Sequence, residues 1–452
     1  MIKSFLMTFL LGTALYASDN TGDGRTFRLD NGLKVVVLTN TRAPIVYHSV
    51  WYKVGSTDDP VLKSGLAHYL EHMMFKSSKN HPSGEYVKIL TKFGAKYNAT
   101  TSFDRTSYYA TLDKKYLSDI MELEADRMVN LTMDPKEALS ERSVVIEERL
   151  MTRDNPPASR LSEMALSHYY LHHPYRLPVI GWKHEMETYT HEDALLHYKH
   201  FYSPSNAVLV LSGDITVEEA KTLAQKYYGS LPSHPVFHKE KVKEPTNHNI
   251  TASLVLKDKG FGTPSVDILF QGISFKESLK KTYALEVVAS LLKGKTGLWY
   301  DTLVEKEKIV TDFGVDYHGF SFDTAAPFSI SLTLPKDGDV EKAKSRVMEL
   351  IQNLIENTLN EDDVKLAKIK ATNFFDYVKD SATTYGNFVG ELMMKGFSLE
   401  EIEGLRGEID KVTILDIQDV IREVFSKKPR VIATGLPEIQ ENREKEGEKK
   451  ND

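Results

Sequence analysis

The chain has 452 residues, 41% apolar and 27% charged, a globular composition that excludes collagen-like and wholly disordered readings. Its 57 Lys+Arg against 64 Asp+Glu leave a net charge of −7, which argues against a general nucleic-acid binder with its basic surface. There is no cysteine. Disulfide frameworks, thiol catalysis and cysteine metal sites are therefore excluded, and any metal must be held by His, Asp or Glu.

The opening MIKSFLMTFLLGTALYASDN has a basic start at Lys3 and an apolar run from Ser4 to Tyr16. The run is too short to span a bilayer and ends in the small residues Ala17 and Ser18, so residues 1–17 read as a secretory signal peptide. An exported, periplasmic protein is expected. No later stretch reaches the roughly 18 apolar residues of a membrane helix, so no span is expected in the mature chain.

Residues 26–40 read as a hairpin turning at Asp30-Asn31-Gly32, and 45–54 as a further strand. Helical periodicity runs over 64–78 with Ser64 as N-cap. Residues 97–112 read as strand, turn, strand, and 113–132 and 135–151 as helices, the latter starting at Pro135. A buried strand at 206–215 and a helix at 216–231 follow. The prolines and charges of 232–249 mark a linker. Similar elements then recur: strands in 252–260 and 265–273, a helix over 275–294, a strand pair in 312–334, helices at 338–358 and 361–395, and a strand at 430–436. The expected organisation is 18–231, linker 232–249, and 250–440. Each half is a mixed α+β unit, and the two suggest a structural duplication. The charged tail 441–452 reads as disordered.

The chemistry concentrates in His68-Tyr69-Leu70-Glu71-His72. Residues i and i+4 of a helix share a face, so His68 and His72 can meet one Zn²⁺. Glu71 lies on the adjoining face. This is H-x-x-E-H, the inverse of H-E-x-x-H. At this composition the pattern arises by chance about 0.07 times, a modest false-positive rate for a short motif. A catalytic zinc needs a third protein ligand and an open position. The helix at 135–151 offers glutamates, of which Glu141 and Glu148 are seven apart and share a face. Leu139, Ser143, Ile146 and Leu150 read as its buried stripe. Spacing alone does not choose among Glu141, Glu147 and Glu148.

SGLAHYLEHMMFKSS, the run from Glu141 to Glu148, YNATTSFDRTSYY and PVIGWKHEMETYTHED…HFYSPSNAVLVLSGDI together resemble the pitrilysin/insulinase (inverzincin) family of zinc peptidases. The branch in question is that of mitochondrial-processing-peptidase-like bacterial enzymes. The resemblance spans nearly the whole mature chain and is strongest over 26–230. It implies an α+β fold of two similar halves arranged as a clam, each a mainly antiparallel sheet packed by helices. It also implies a zinc metalloendopeptidase acting on extended peptides in an enclosed cavity. The family spacing places the third ligand 76 positions after the second histidine, at Glu148, with one zinc per chain. Glu141 then orients a ligand histidine. Glu71 is the general base towards a zinc-activated water. Substrate is expected to add as a strand along Tyr97–Ser102, meeting Asn98, Ala99 and Thr100.

One departure stands out. Family members of this type carry an Arg and a Tyr in the second half that reach substrate and oxyanion. Here the matching positions are Gly297 and Thr311, while Tyr300 and Tyr317 sit at other spacings. The resemblance then implies a zinc subunit of a heterodimer whose homologous partner supplies the Arg/Tyr pair. The alternatives are a non-catalytic scaffold subunit and a self-sufficient homodimeric peptidase. His172, His173, His184, His191, His197 and His200 read as surface or packing histidines. Trp51, Trp182 and Trp299 read as core or interface anchors, and Met73-Met74 as core filling.

Overall fold

The computed structural model describes residues 24–438 except 237, 239, 241 and 246–248. The expected signal peptide and the charged tail lie outside the described residues. The first series of elements runs β1 (Thr26–Arg28), β2 (Lys34–Thr39), β3 (Ile45–Tyr52), α1 (Leu66–Met73), β4 (Ser77–Ser78), α2 (Glu85–Lys92) and β5 (Lys96–Thr101). It continues with β6 (Thr106–Asp113), α3 (Leu117–Asn130), β7 (Leu131–Thr132), α4 (Pro135–Arg149), α5 (Pro157–Tyr169), α6 (Lys183–Met186), α7 (His191–Phe201), β8 (Ala207–Gly213) and α8 (Val217–Tyr228). The second series is β9 (Ala252–Asp258), β10 (Ser265–Gln271), α9 (Leu279–Leu292), β11 (Asp312–Tyr317) and β12 (Pro327–Thr333). Helices α10 (Val340–Glu356), α11 (Glu361–Val378), α12 (Ala382–Met394), α13 (Leu399–Asp410) and α14 (Ile414–Phe425) lead to β13 (Val431–Pro437).

The hairpin between β1 and β2 turns at Gly32, whose φ of 91° is the left-handed conformation that glycine adopts without strain. Sheet one has the order β1-β2-β8-β3-β6-β5, and sheet two the order β11-β12-β10-β13-β9. Remove β1 and the two orders are the same path through space. The first strand of each series (β2, β9) pairs parallel with the last (β8, β13), and the other pairs are antiparallel. Between its second and third core strands the first series places two helices, α1 and α2, and the second places one, α9. Each has five helices, among the described residues, between its last antiparallel strand and the parallel one. The molecule is therefore a duplication of one mainly antiparallel α+β plan.

The two copies trade a helix. Helix α12 of the second series packs on β3 and β8 of the first sheet, and α5 of the first packs on β13 and β9 of the second. Strand alternation sets this up. Val35, Val37, Val46, Val50 and Tyr52 point into a core with α1 and α3, while Val36, Leu38, Tyr47, Trp51, Val208 and Val210 point into the core shared with the second series. Both faces of the central strands are apolar, so both must be covered. Helix α12 lies close because Gly386 and Gly390 are four apart on one face. A Cβ at Gly390 would meet the Trp51 ring at 2.2 Å and one at Gly386 the Tyr47 ring at 2.4 Å.

Polar ties reinforce the exchange. Lys395 Nζ is buried 2.9 Å from Asp104 Oδ2 and also donates to Ser321 O at 2.7 Å. Within the expected linker, Glu244 is buried. Its carboxylate accepts the backbone N–H groups of Leu171, His172 and His173 and a 2.8 Å bond from Arg430.

Candidate metal centre

The local fold first positions α1. Gly65 precedes the helix at φ 90° and offers no side-chain cap. Asp59 serves instead, its carboxylate accepting the N–H groups of Gly65 (2.7 Å) and Ala67 (2.8 Å). These bonds satisfy two of the orphan donors at this end and oppose the burial that raises the Asp59 carboxyl well above the ordinary carboxylate range. The expectation that Ser64 caps the helix is thus corrected. Ser64 Oγ accepts the N–H of Trp182 at 3.0 Å, because its backbone turns away before the helix begins.

Helix α1 buries Leu66, Ala67, Tyr69, Leu70 and Met73 and keeps His68 and His72 on the opposite edge, ring centroids 4.9 Å apart. Helix α4 packs across it. Its buried residues are Ala138, Glu141, Val145 and Arg149, while Leu139 and Ser143 are exposed and Ile146 and Leu150 half-buried. The apolar stripe expected from sequence is therefore wrong. The inward face of α4 carries charge because it meets histidines and a lysine.

That face brings Glu148 Oε2 to 3.2 Å from His72 Nε2 and 3.8 Å from His68 Nε2. One ligand atom from each of the three residues lies within 4.8 Å of the others, the one such group of His, Asp or Glu among the described residues. Two ligands each about 2.0–2.1 Å from a tetrahedral ion sit roughly 3.3 Å apart, so this donor set fits a zinc ion with little adjustment. Glu141 lies on the other side of the ring, its Oε1 2.9 Å from His72 Nδ1 and its Oε2 2.5 Å from Lys76 Nζ. That contact orients the ring so that Nε2 faces Glu148. Glu147 points to solvent. His68 Nδ1 is buried with no protein partner, so only His72 is braced in this way.

The electrostatics differ between the two imidazoles. Burial, aided by the neighbouring His72, lowers the His68 pKa to about 4, which keeps its imidazole neutral. Burial opposes the charge on His72 as well. Its bonds to Glu141 and Glu148 outweigh that and raise it to about 9. The His72 bond is the main cause holding Glu148 below the ordinary carboxylate range. Glu71 is buried, and burial raises its carboxyl above the usual value despite a 2.6 Å hydrogen bond donated by Thr101 Oγ1 to its Oε2.

From sequence, Thr101 is expected only as part of the substrate strand, and its bond to Glu71 is what sequence reasoning missed. Thr101 closes β5, and only the tertiary contact of β5 with α1 tells which side chain it meets. The same strand carries Asn98, Ala99 and Thr100, paired with Tyr109, Tyr108 and Ser107 of β6 and, among the described residues, with no strand on their other side. Asn98 and Thr100 are exposed and Ala99 is buried. The expected substrate segment is thus the outer edge of sheet one, in contact with α1.

The second series offers no matching polar groups at the two positions singled out from sequence. Gly297 sits so close to the preceding helix that a Cβ there would lie 2.0 Å from Leu292 O, and Thr311 donates to Thr333 O at 3.1 Å. Tyr317 is buried and its hydroxyl donates to Ile273 O. Among the other histidines, His173 and His197 are buried in packing, while His172, His184 and His200 are exposed. Trp51 and Trp299 are core residues, as are Met73 and Met74.

Residues 34–182 match the family described as Insulinase (Peptidase family M16), and residues 188–370 match the Peptidase M16 inactive domain. Zinc protease PqqE of Helicobacter pylori is 28% identical over 424 residues, covering 93% of each chain. The crystal structure of a protease from Helicobacter pylori superposes with a TM-score of 0.83 at 26% identity, over 91% of this chain and 99% of that one. The periplasmic protease PqqL from Escherichia coli, 17% identical, gives a TM-score of 0.77 over 91% of this chain but only 47% of its own.

Proposed function

This chain belongs to the insulinase (M16) peptidase family, and on that premise we propose that it is a zinc-dependent metalloendopeptidase subunit that hydrolyses extended peptides. The observation that carries the reading is the convergence of His68, His72 and Glu148 from two helices, with Glu71 on the same helix as the imidazoles. In this reading those three residues hold one zinc per chain. A zinc ion held there would lower the pKa of a bound water towards about 7 and polarise the scissile carbonyl. Glu71, whose proton affinity burial has raised, takes a proton from that water and returns it to the leaving amine nitrogen. Thr101 holds one Glu71 oxygen and leaves the other for this transfer. Glu141 keeps the His72 ring oriented so that Nε2 faces Glu148.

Peptide adds to the free edge of β5 along Asn98, Ala99 and Thr100, its backbone pairing as a further strand beside the metal. The chain acts with a homologous partner that supplies the Arg and Tyr. Gly297 and Thr311 stand at those positions here, and the fold match to PqqL covers only half of that longer chain. Export to the periplasm follows from the residue pattern at 1–17, and no helix among the described residues is long and apolar enough to cross a membrane.

The test is zinc analysis of the purified full chain, then hydrolysis of an unstructured peptide by the chain alone and mixed with a homologue carrying the Arg/Tyr pair. The expected result is one zinc per chain, weak cleavage alone and strong cleavage in the mixture. Absence of zinc would favour a scaffold subunit, and full activity alone a self-sufficient homodimer.

A further inference from the structure

The segment Ile180-Gly181-Trp182 belongs to a motif that the catalytic reading leaves unused, yet it touches both zinc-bearing helices. On one side it meets the start of α1. Gly65 and Gly181 are both left-handed, at φ 90° and 87°, and their backbones are in contact. A Cβ on Gly65 would lie 2.2 Å from Ile180 O, and one on Gly181 would lie 1.9 Å from Ser64 O. Ser64 N–H donates to Glu185 Oε2 at 2.6 Å, and the Tyr189 hydroxyl donates to Ser64 O. On the other side, Gly181 O accepts a 2.7 Å bond from Arg149 Nη1.

Arg149 directly follows Glu148 and is the last residue of α4. Its side chain is 5% exposed, and both terminal nitrogens are engaged while Nε has no partner. It makes a two-pronged pair with Glu163 of α5 (3.2 and 2.9 Å) and a 3.0 Å pair with Asp154, and its guanidinium lies 5.2 Å over the Trp182 ring. Asp154 reaches it because the chain widens into a π-turn over Leu150–Asp154 immediately after α4. Such turns recur at functional sites.

We propose that Arg149 is a positioning residue for the zinc centre. By pinning the end of α4 to Gly181, which also seats the start of α1, it sets the spacing between Glu148 and the two imidazoles. The inference rests on the reading of His68, His72 and Glu148 as ligands. The planar fork matters, since one group must hold a carbonyl and a carboxylate at fixed angles, which lysine cannot do.

The test compares zinc dissociation constants, by competition with a chromophoric chelator, and thermal unfolding of the metal-free full chain. The variants are Arg149→Met, Arg149→Lys and Lys395→Met. The last breaks a comparably buried ion pair that touches neither α1 nor α4. Arg149→Met is expected to weaken zinc binding about 10–100-fold, the usual effect of removing an outer partner of a metal site. Arg149→Lys should lose less, while Lys395→Met should lower the unfolding temperature and leave zinc affinity within about twofold of the wild type. If Arg149→Met does not fold, Arg149→Lys against Lys395→Met decides the matter. Wild-type zinc affinity in the Arg149 variants that fold, or an equal loss in Lys395→Met, overturns the inference while the ligand reading stands. A wild-type chain that binds no zinc overturns both.

Discussion

Helices α1 and α4 occupy in the first series the places that α9 and α11 occupy in the second, yet the pairs are opposite in character. Helix α9 is buried nearly all round by Tyr283, Ala284, Leu285, Val287, Val288, Leu291 and Leu292 and packs on α11 as plain core. The α1–α4 contact instead holds Glu71, His72, Glu141 and Arg149, each with a named partner. The same plan thus gives a filled core in one copy and a polar cleft in the other. A buried charge without a partner costs several kcal/mol, so the charged groups of the polar version come with ion-pair or hydrogen-bond mates.

The sharpest way to break the comparison is to make α1 apolar where it carries ligands. His72→Ala is expected to abolish zinc binding and with it peptide hydrolysis, read by metal analysis after dialysis. Glu71→Gln should keep the metal and lose about 10²–10⁴-fold in turnover. Retained peptidase activity in that variant would remove Glu71 from its role. Glu141→Gln keeps the shape but weakens the hold on His72, so zinc affinity should fall by about 10–100-fold, measured by chelator competition.

Two further changes probe the shared scaffold. Gly390→Ala puts a methyl group into the Trp51 ring and should destabilise the whole molecule by about 1–3 kcal/mol in chemical denaturation, with zinc affinity unchanged. The smallest effect is expected on α9, where burial raises the Glu286 carboxyl to about 8, partly opposed by Lys293. The folded state holds this proton more tightly than the unfolded chain, so the protonated form stabilises at acidic pH. That contribution is lost as pH rises from about 4.5 through about 8. Glu286→Gln should therefore unfold a few degrees above the wild type at pH 9 and show no such gain at pH 5, measured by thermal melts.

Much of this was readable in the residues. The hairpin at Asp30-Asn31-Gly32, the strands around it and the pairing of His68 with His72 follow from turn chemistry and from periods of two and 3.6, which are local. The choice among Glu141, Glu147 and Glu148 was not local. Only the packing of α4 on α1 sends Glu148 to one nitrogen of His72 and Glu141 to the other. The stripe on α4 misled because the helix faces histidines and a lysine, which inverts the usual pattern, with Leu139 outside and Arg149 inside. The hydroxyl of Thr101 and the cap from Asp59 depend on contacts across elements, which no spacing announces.

The exchanged helices have a consequence for how the molecule can be divided. A fragment cut before β9 would carry Val36, Tyr47, Trp51 and Val210 with nothing over them, and its complement would lack α5. Neither piece is a self-contained folding unit, and each is a surface seeking the other. Severed in the connecting stretch, the halves should precipitate when made separately and recombine when made together, so the strap joining them works less as a hinge than as a guarantee of stoichiometry.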